Sequence, residues 1–167
     1  MEEGYAFLAI GYFNAKGTPK SLDRISLNAI NDSIQAIANR YPQINQEKIA
    51  LIGGSKGAEL VLNLASRYPS YSAVVGLVAS HVSFPATTIL AATSSWTING
   101  EEVPFVPMDW NASSFAIKGD LNGAFNALLE NEEAVKNSII PVEKINGPIL
   151  LLSADKDEMW PSTFMSK

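Results

Sequence analysis

The sequence of 167 residues contains no cysteine and only one histidine, His81. The absence of cysteine excludes a disulfide framework and a thiolate zinc site. A single histidine leaves few ligands for any other transition-metal centre. We therefore expect no metal ion and no other cofactor.

Positive charge is also scarce. The sequence has 12 Lys and Arg but 17 Asp and Glu, so its formal net charge is -5. Affinity for nucleic acid comes largely from clustered Lys and Arg, so a nucleic-acid partner is not expected. No apolar run approaches the roughly 18 residues of a membrane span. The start of the chain lacks the basic opening and small-residue cleavage site of a signal peptide. These absences predict a soluble, cytoplasmic protein.

The composition that remains is ordinary for a globular protein, with 47% hydrophobic and 17% charged residues. We expect residues 1–167 to form one domain. Apolar runs alternate with segments of helical periodicity, which predicts a mostly parallel sheet in an α/β three-layer sandwich. The predicted strands are 5–13, 48–54, 72–80 and 147–154, the predicted helices are about 21–41, 56–68 and 120–136, and 81–119 is an irregular excursion with a hairpin at Asn99-Gly100.

Gly53, Ser55 and Gly57 have the spacing G-x-S-x-G between a predicted strand and a predicted helix. This is the context in which a serine hydrolase displays its nucleophile. The two glycines would remove side chains that clash in the tight turn, and the amide of Lys56 would be the oxyanion donor at the helix start. The alternative is a glycine-rich turn of another α/β fold that binds phosphate, although the G-x-x-x-x-G-K-[ST] spacing is absent.

A partner acid is expected after a later strand, where Asp155, Asp157 and Glu158 follow the run "LLLSA". Spacing alone does not separate Asp155 from Asp157, and all three could be solvated turn residues. His81 follows the third predicted strand and precedes these acids, whereas hydrolase triads of this fold run Ser, acid, His. We therefore expect His81 in a pocket wall or as a structural residue rather than as the base.

Aromatic residues are frequent between the third strand and the helix predicted at 120–136. Trp96 and Trp110 could line an apolar pocket for a substrate, together with Val82, Phe84 and Phe105. The same side chains could equally cap the sheet.

With these residues placed, the chain resembles the C-terminal catalytic domain of the acyl-CoA thioesterase and bile acid-CoA:amino acid N-acyltransferase family, an α/β-hydrolase group related to dienelactone hydrolase. The segments that carry the resemblance are "AIGYFNAKGTPKSL", "IALIGGSKGAELVLNLAS", "INGEEVPF" and "IPVEKINGPILLLSADKDEMWPS". The resemblance implies that Ser55 is the nucleophile, where the amino-acid-conjugating branch has Cys. It also implies that Asp157, three residues before Trp160, is the acid.

The resemblance also implies an incomplete α/β-hydrolase fold. The family's histidine lies well beyond the acid, whereas this chain ends ten residues after Asp157, and the family has strands upstream of residue 5. We therefore expect a partial domain without those strands and without the histidine-bearing segment. Exposed sheet edges in such a domain predict self-association.

The function implied by the resemblance is hydrolysis of fatty acyl-CoA or similar thioesters through an acyl-serine intermediate, with little activity in this chain by itself. The alternatives are a carboxylesterase similar to dienelactone hydrolase and a non-catalytic acyl-binding module.

Overall fold

A parallel three-stranded sheet lies at the centre of the computed structural model, which describes residues 4–166. Its strands are β2 (Ile49–Gly54), β3 (Tyr71–Leu77) and β6 (Ile149–Leu152), in the order β2-β3-β6. Leu51 lies opposite Val74, which lies opposite Ile149. Three of the four predicted strands are thus confirmed, within three residues at each end.

Helix α2 (Lys56–Ala65) covers one face of this sheet. Every residue from Ala58 to Ala65 is buried. Helix α1 (Leu27–Arg40) also contacts α2, and the segment that follows β3 hydrogen-bonds to buried polar residues of α2. The hydroxyl of Ser26 caps α1 by accepting a hydrogen bond of 3.1 Å from the Ala29 amide. The predicted helix at 21–41 therefore begins six residues later than the periodicity indicated.

A second, smaller sheet has the order β1-β4-β5. Its strands are β1 (Ile25–Ser26), β4 (Trp96–Ile98) and β5 (Glu101–Glu102). The turn between β4 and β5 is Asn99-Gly100, and both residues have positive φ, 52° and 86°. This is the backbone that an Asn-Gly hairpin requires, so the predicted hairpin is confirmed.

The remaining α-helices contribute to a separate apolar cluster. They are α3 (Trp110–Ile117), α4 (Leu121–Leu129), α5 (Glu132–Ser138) and α6 (Ser162–Met165). A short 3-10 helix (Val142–Lys144) instead contacts α2. The single helix predicted at 120–136 is wrong, because Asn131 interrupts it. The Asn131 side chain caps α5 by accepting a hydrogen bond of 3.0 Å from the Ala134 amide.

Two further expectations differ from the structure. The predicted strand at 5–13 is wrong, since this segment pairs with no strand among residues 4–166 and exposes Tyr5 and Phe7. The three-layer sandwich is not confirmed for residues 4–166, because the sheet face opposite α2 is exposed. We call this surface the open face; it presents Ile52, Leu77, Leu150 and Leu152.

None of the helices in the described part of the chain has the length and apolar character needed to cross a bilayer.

Candidate active site

Ser55 occupies the turn between β2 and α2 with φ 53° and ψ -123°. A positive φ is strained for a residue with a side chain and costs on the order of 1–3 kcal/mol. Backbone hydrogen bonds hold this conformation. The Ser55 amide donates to the Leu77 carbonyl at 2.9 Å, and the Ser55 carbonyl accepts from the Ala58 amide at 2.9 Å. The expected strand, strained serine and helix are therefore all present.

The two glycines of G-x-S-x-G are not equivalent. A Cβ on Gly53 would collide with the carbonyl of Gly57 and the amide of Ala58. A Cβ on Gly57 would meet only the Tyr12 hydroxyl, at 3.9 Å. The expectation of a steric need for glycine is therefore confirmed at Gly53 and wrong at Gly57.

The amide of Lys56 lies at the first position of α2. The first amides of a helix point out of its N-terminus and have no partner within the helix. No described group accepts a hydrogen bond from the Lys56 amide, and the half-buried Ser55 hydroxyl forms none either. A donor and a hydroxyl thus remain available side by side at the carboxyl end of β2.

The side chain of Lys56 does not extend into solvent. Its Nζ lies 2.8 and 3.0 Å from the two carboxylate oxygens of Glu59 and donates to the Phe84 carbonyl at 3.1 Å. The ammonium also lies 5.7 Å from the ring centroid of Trp96. Burial lowers the pKa of Lys56, while the attraction of Glu59 opposes this shift.

Glu59 is completely buried beneath the turn. Besides Lys56, its Oε1 accepts hydrogen bonds from the Trp96 indole at 2.7 Å and from the Phe84 amide at 3.2 Å. Burial raises the pKa of Glu59, and these donors oppose the shift. An ion pair with this many donors satisfies the lone pairs that burial would otherwise leave unpaired.

The two tryptophans expected to contact substrate occupy different environments. Trp96 is fully buried, and its only polar atom bonds to Glu59. Trp110 begins α3 and is 85% exposed. The structure therefore does not bring Trp96 and Trp110 to one pocket.

Asp157 lies in the turn after β6. Its Oδ1 accepts hydrogen bonds from the amides of Met159 at 3.0 Å and Trp160 at 3.2 Å. Burial raises the pKa of Asp157, but the Ser162 hydroxyl and these two amides outweigh it, so the pKa lies below its usual range. The carboxylate lines an open pocket of about 370 Å³. Asp155 lines the same pocket, but no described group donates a hydrogen bond to its side chain.

An aromatic cluster joins this acidic turn to the Ser55 turn. The Trp160 ring centroid lies 5.8 Å from that of Phe84 and 5.2 Å from that of Phe125. Phe84 in turn bonds through its backbone to both Lys56 and Glu59. The turn that carries Asp157 and the turn that carries Ser55 are therefore packed against one common residue.

His81 is half-buried and packs edge-on against Phe164, with ring centroids 6.3 Å apart. Its Nδ1 is buried, and no described group bonds to it. Burial lowers the pKa of His81. No hydrogen bond joins His81 to Ser55 or Asp157 among the described residues.

Sequence reasoning missed Glu59, and it named Phe84 only as a pocket residue, not for its backbone hydrogen bonds to Lys56 and Glu59. A signal for Glu59 was present, because Glu59 and Asn63 are polar residues four apart in an otherwise apolar helix. Both lie on its buried surface, where the Asn63 amide donates to the Ser83 hydroxyl at 3.0 Å. A polar residue in the middle of an apolar helix predicts a buried hydrogen-bonding partner elsewhere in the chain.

Comparison with known proteins adds a family match. The sequence model of the family described as "BAAT / Acyl-CoA thioester hydrolase C terminal" matches residues 27–167. Human acyl-coenzyme A thioesterase 1 is 27% identical over 164 residues, covering 97% of this chain and 36% of that protein. Mouse acyl-coenzyme A thioesterase 6 is 31% identical over 159 residues, covering 95% and 35%.

Mouse peroxisomal succinyl-coenzyme A thioesterase is 26% identical over 167 residues, covering 95% of this chain and 36% of that protein. The chain spans about a third of the length of these relatives.

Proposed function

The chain belongs to the BAAT / acyl-CoA thioester hydrolase C-terminal family, and on that premise we propose that it carries the nucleophile, one oxyanion donor and the acid of a serine-dependent acyl-CoA thioesterase. The substrate class is fatty acyl-CoA or a similar thioester. Three relatives that cover most of the chain are named as acyl- or succinyl-coenzyme A thioesterases, which supports this class.

The observation that carries the proposal is the backbone of Ser55. A serine with φ 53° is costly to maintain, and such strain persists where the surrounding structure over-determines it. Here the Leu77 carbonyl, the first turn of α2 and the missing Cβ of Gly53 all enforce it. The result is a hydroxyl displayed beside the unpaired Lys56 amide.

In the proposed reaction, Ser55 Oγ attacks the thioester carbonyl carbon and its proton passes to a base. The Lys56 amide stabilises the negative charge that develops on the carbonyl oxygen. The carbon–sulfur bond then breaks, CoA leaves as the thiol with the proton from the base, and an acyl-serine ester remains. Water hydrolyses this ester to the carboxylic acid and regenerates Ser55.

Asp157 is assigned the role of orienting the base. Two backbone amides hold its carboxylate, and its lowered pKa keeps it ionised at neutral pH. Asp155 has no such support, which favours Asp157 as the acid. Both carboxylates line the 370 Å³ pocket, in which a histidine could be received.

The base itself is proposed to come from outside these 167 residues. His81 is the one histidine of the sequence, and its ring packs on Phe164 without a hydrogen bond to Ser55 or Asp157. An enzyme without its triad base keeps only the part of catalysis that comes from the oxyanion hole and substrate binding. The chain by itself should therefore release CoA slowly.

The two tryptophans have separate roles in this proposal. Trp96 supports the Ser55 turn through Glu59 and does not contact the acyl group. Trp110, which is exposed on α3, is available for substrate contact.

Thiol release from acyl-CoA tests the proposal. The sequence has no cysteine, so a thiol reagent detects only the CoA that is set free. We expect slow release that increases when imidazole is added as an exogenous base, with a transient acyl adduct on Ser55 in peptide mapping by mass spectrometry. Ser55→Ala should abolish both the adduct and the imidazole-dependent rate.

A matched control is Ser72→Ala, which changes a partly buried serine in β3 that bonds to the Ile49 carbonyl. It should leave the rate unchanged. If Ser55→Ala and the unaltered chain released CoA equally fast, the proposed nucleophile would be wrong.

A further inference from the structure

Glu59 is a completely buried acidic side chain near the candidate site, yet it has no role in the proposed reaction. Burying an ion pair gains little net stability, because desolvation offsets the mutual attraction of the charges. Apolar residues of similar volume usually serve stability as well or better. The geometry around Glu59, rather than a gain in stability, therefore accounts for a charge at this position.

The donors to Glu59 come from three separate segments of the chain. Lys56 lies at the start of α2, Trp96 begins β4, and Phe84 lies in the segment after β3. The distances of 3.0, 2.7 and 3.2 Å to Oε1 leave this oxygen fully used. One carboxylate thus fixes the relative position of three segments around the Ser55 turn.

Lys56 is the residue on which this arrangement acts. Its amide is the proposed oxyanion donor, and its side chain is anchored at Glu59 and at the Phe84 carbonyl. The residue is therefore held at two points, by the first turn of α2 and by its own ammonium group. A shift of the Lys56 backbone that carries the amide away from the carbonyl oxygen of a substrate would also displace the Lys56 Cα and pull on these side-chain contacts.

We propose that Glu59 is a positioning residue for acyl transfer, which fixes the Lys56 amide in the direction of the developing oxyanion by anchoring the Lys56 side chain. The inference rests on the proposed function, since it assigns a role within that reaction. Glu59 does not touch the substrate and acts only through Lys56.

A comparison of single and double substitutions tests this role. Glu59→Gln and Lys56→Met each leave one buried charge without its partner, whereas the double variant Lys56→Met/Glu59→Gln leaves none. Both single variants should lower the melting temperature. The double variant should recover it to near the value of the unaltered chain, because a buried pair can be replaced by neutral groups at little cost.

The rates should behave differently from the stabilities. Removing one oxyanion donor lowers kcat by about 10²–10³-fold. A donor amide that is present but no longer held in position should lower kcat by part of this factor. We expect the double variant to release CoA at least ~10-fold more slowly with imidazole present, with an unchanged KM. Glu132→Gln, which alters an exposed charge on α5, is the control and should change neither quantity.

Trp96→Phe provides a second test if a charge variant fails to fold. It removes the 2.7 Å hydrogen bond to Glu59 without leaving a charge unpaired. The rate should fall with KM unchanged.

Two results would overturn the inference. A double variant that regains both its melting temperature and its rate would show that the pair is only structural, and so would a Trp96→Phe chain as fast as the unaltered one. If CoA release did not depend on Ser55, the proposed function itself would fail, and the Ser55→Ala control identifies that case separately.

Discussion

The indole of Trp160 packs against the phenyl ring of Phe84, with ring centroids 5.8 Å apart. Trp160 is three residues beyond Asp157, and the backbone of Phe84 bonds to Glu59 beneath the Ser55 turn. The turn of Ser55 and the turn of Asp157, which are 102 positions apart in sequence (157 minus 55), are thus linked through this pair of rings. The spacing of the candidate acid and the candidate nucleophile depends on this contact.

Trp160→Ala should therefore be strongly destabilising. Trp160 is almost fully buried, and truncation of a buried tryptophan costs about 3–5 kcal/mol. Trp110→Ala is the matched control, because this tryptophan is largely exposed and its loss should change stability by no more than about 0.5 kcal/mol. Urea unfolding followed by far-UV circular dichroism measures both, and equal losses would contradict the packing described.

The two glycines of G-x-S-x-G should respond oppositely to alanine. Gly53→Ala places a Cβ against the carbonyl of Gly57, which should cost about 1–3 kcal/mol or prevent folding. Gly57→Ala adds a Cβ within α2 that makes only an ordinary contact with the Tyr12 hydroxyl, at 3.9 Å. It should leave stability unchanged or raise it by up to about 1 kcal/mol, since alanine is the better helix former. Thermal melts of the two variants in parallel decide this, and a Gly57→Ala chain that is the less stable of the two would refute it.

The elements around Ser55 were predictable because their signals are local. The apolar runs of β2, β3 and β6 and the helical period of α2 are each contained within about ten residues, and the structure confirms all four. The turn at Ser55 follows from them. Its backbone angles agree with the motif.

The prediction of a strand at 5–13 was wrong for a physical reason. A strand exists only when another strand accepts and donates its backbone hydrogen bonds, and apolar composition gives no information on whether such a neighbour is present. The break at Asn131 and the cap of α3 at Asp109 were missed because a capping residue in a polar stretch resembles any other polar residue. Trp96 was expected to line a pocket. Its hydrogen bond to Glu59 was not predictable from local sequence, because it joins residues 37 positions apart.

The open face of the central sheet predicts self-association of the chain. Ile52 and Leu150 lie in the same row across the sheet and are 57% and 53% exposed. An apolar surface of this kind on a sheet with unpaired edges favours contact with another copy. Ile52→Thr/Leu150→Thr should shift the chain towards the monomer in sedimentation velocity.

The control for that experiment is Ile89→Thr/Leu90→Thr. These two side chains are even more exposed but lie in a loop outside the sheet. The control should associate as the unaltered chain does. Two results would count against the role of the open face. The unaltered chain could sediment as one monomeric species, or the control could dissociate as much as the Ile52→Thr/Leu150→Thr variant does.

The His81 imidazole should titrate below its ordinary pKa of about 6.5, because burial disfavours the charged form. The folded state then binds fewer protons than the unfolded state, so stability should fall as the pH drops from about 6.5 towards the folded pKa. The single histidine gives one Cε1 proton resonance, whose shift with pH reports the pKa directly. His81→Gln should remove this part of the pH dependence, and a midpoint at or above 6.5 would contradict the burial.

The buried pair of Lys56 and Glu59 has a consequence for how this sequence can diverge. A neutral residue at one of the two positions leaves the other charge buried without a partner, whereas neutral residues at both positions leave no buried charge. Because the unpaired charge destabilises the fold, change at one position should be accompanied by change at the other. Among natural variants of this chain, the two charges should therefore be inherited or lost together, and Trp96 should become replaceable only where both are gone.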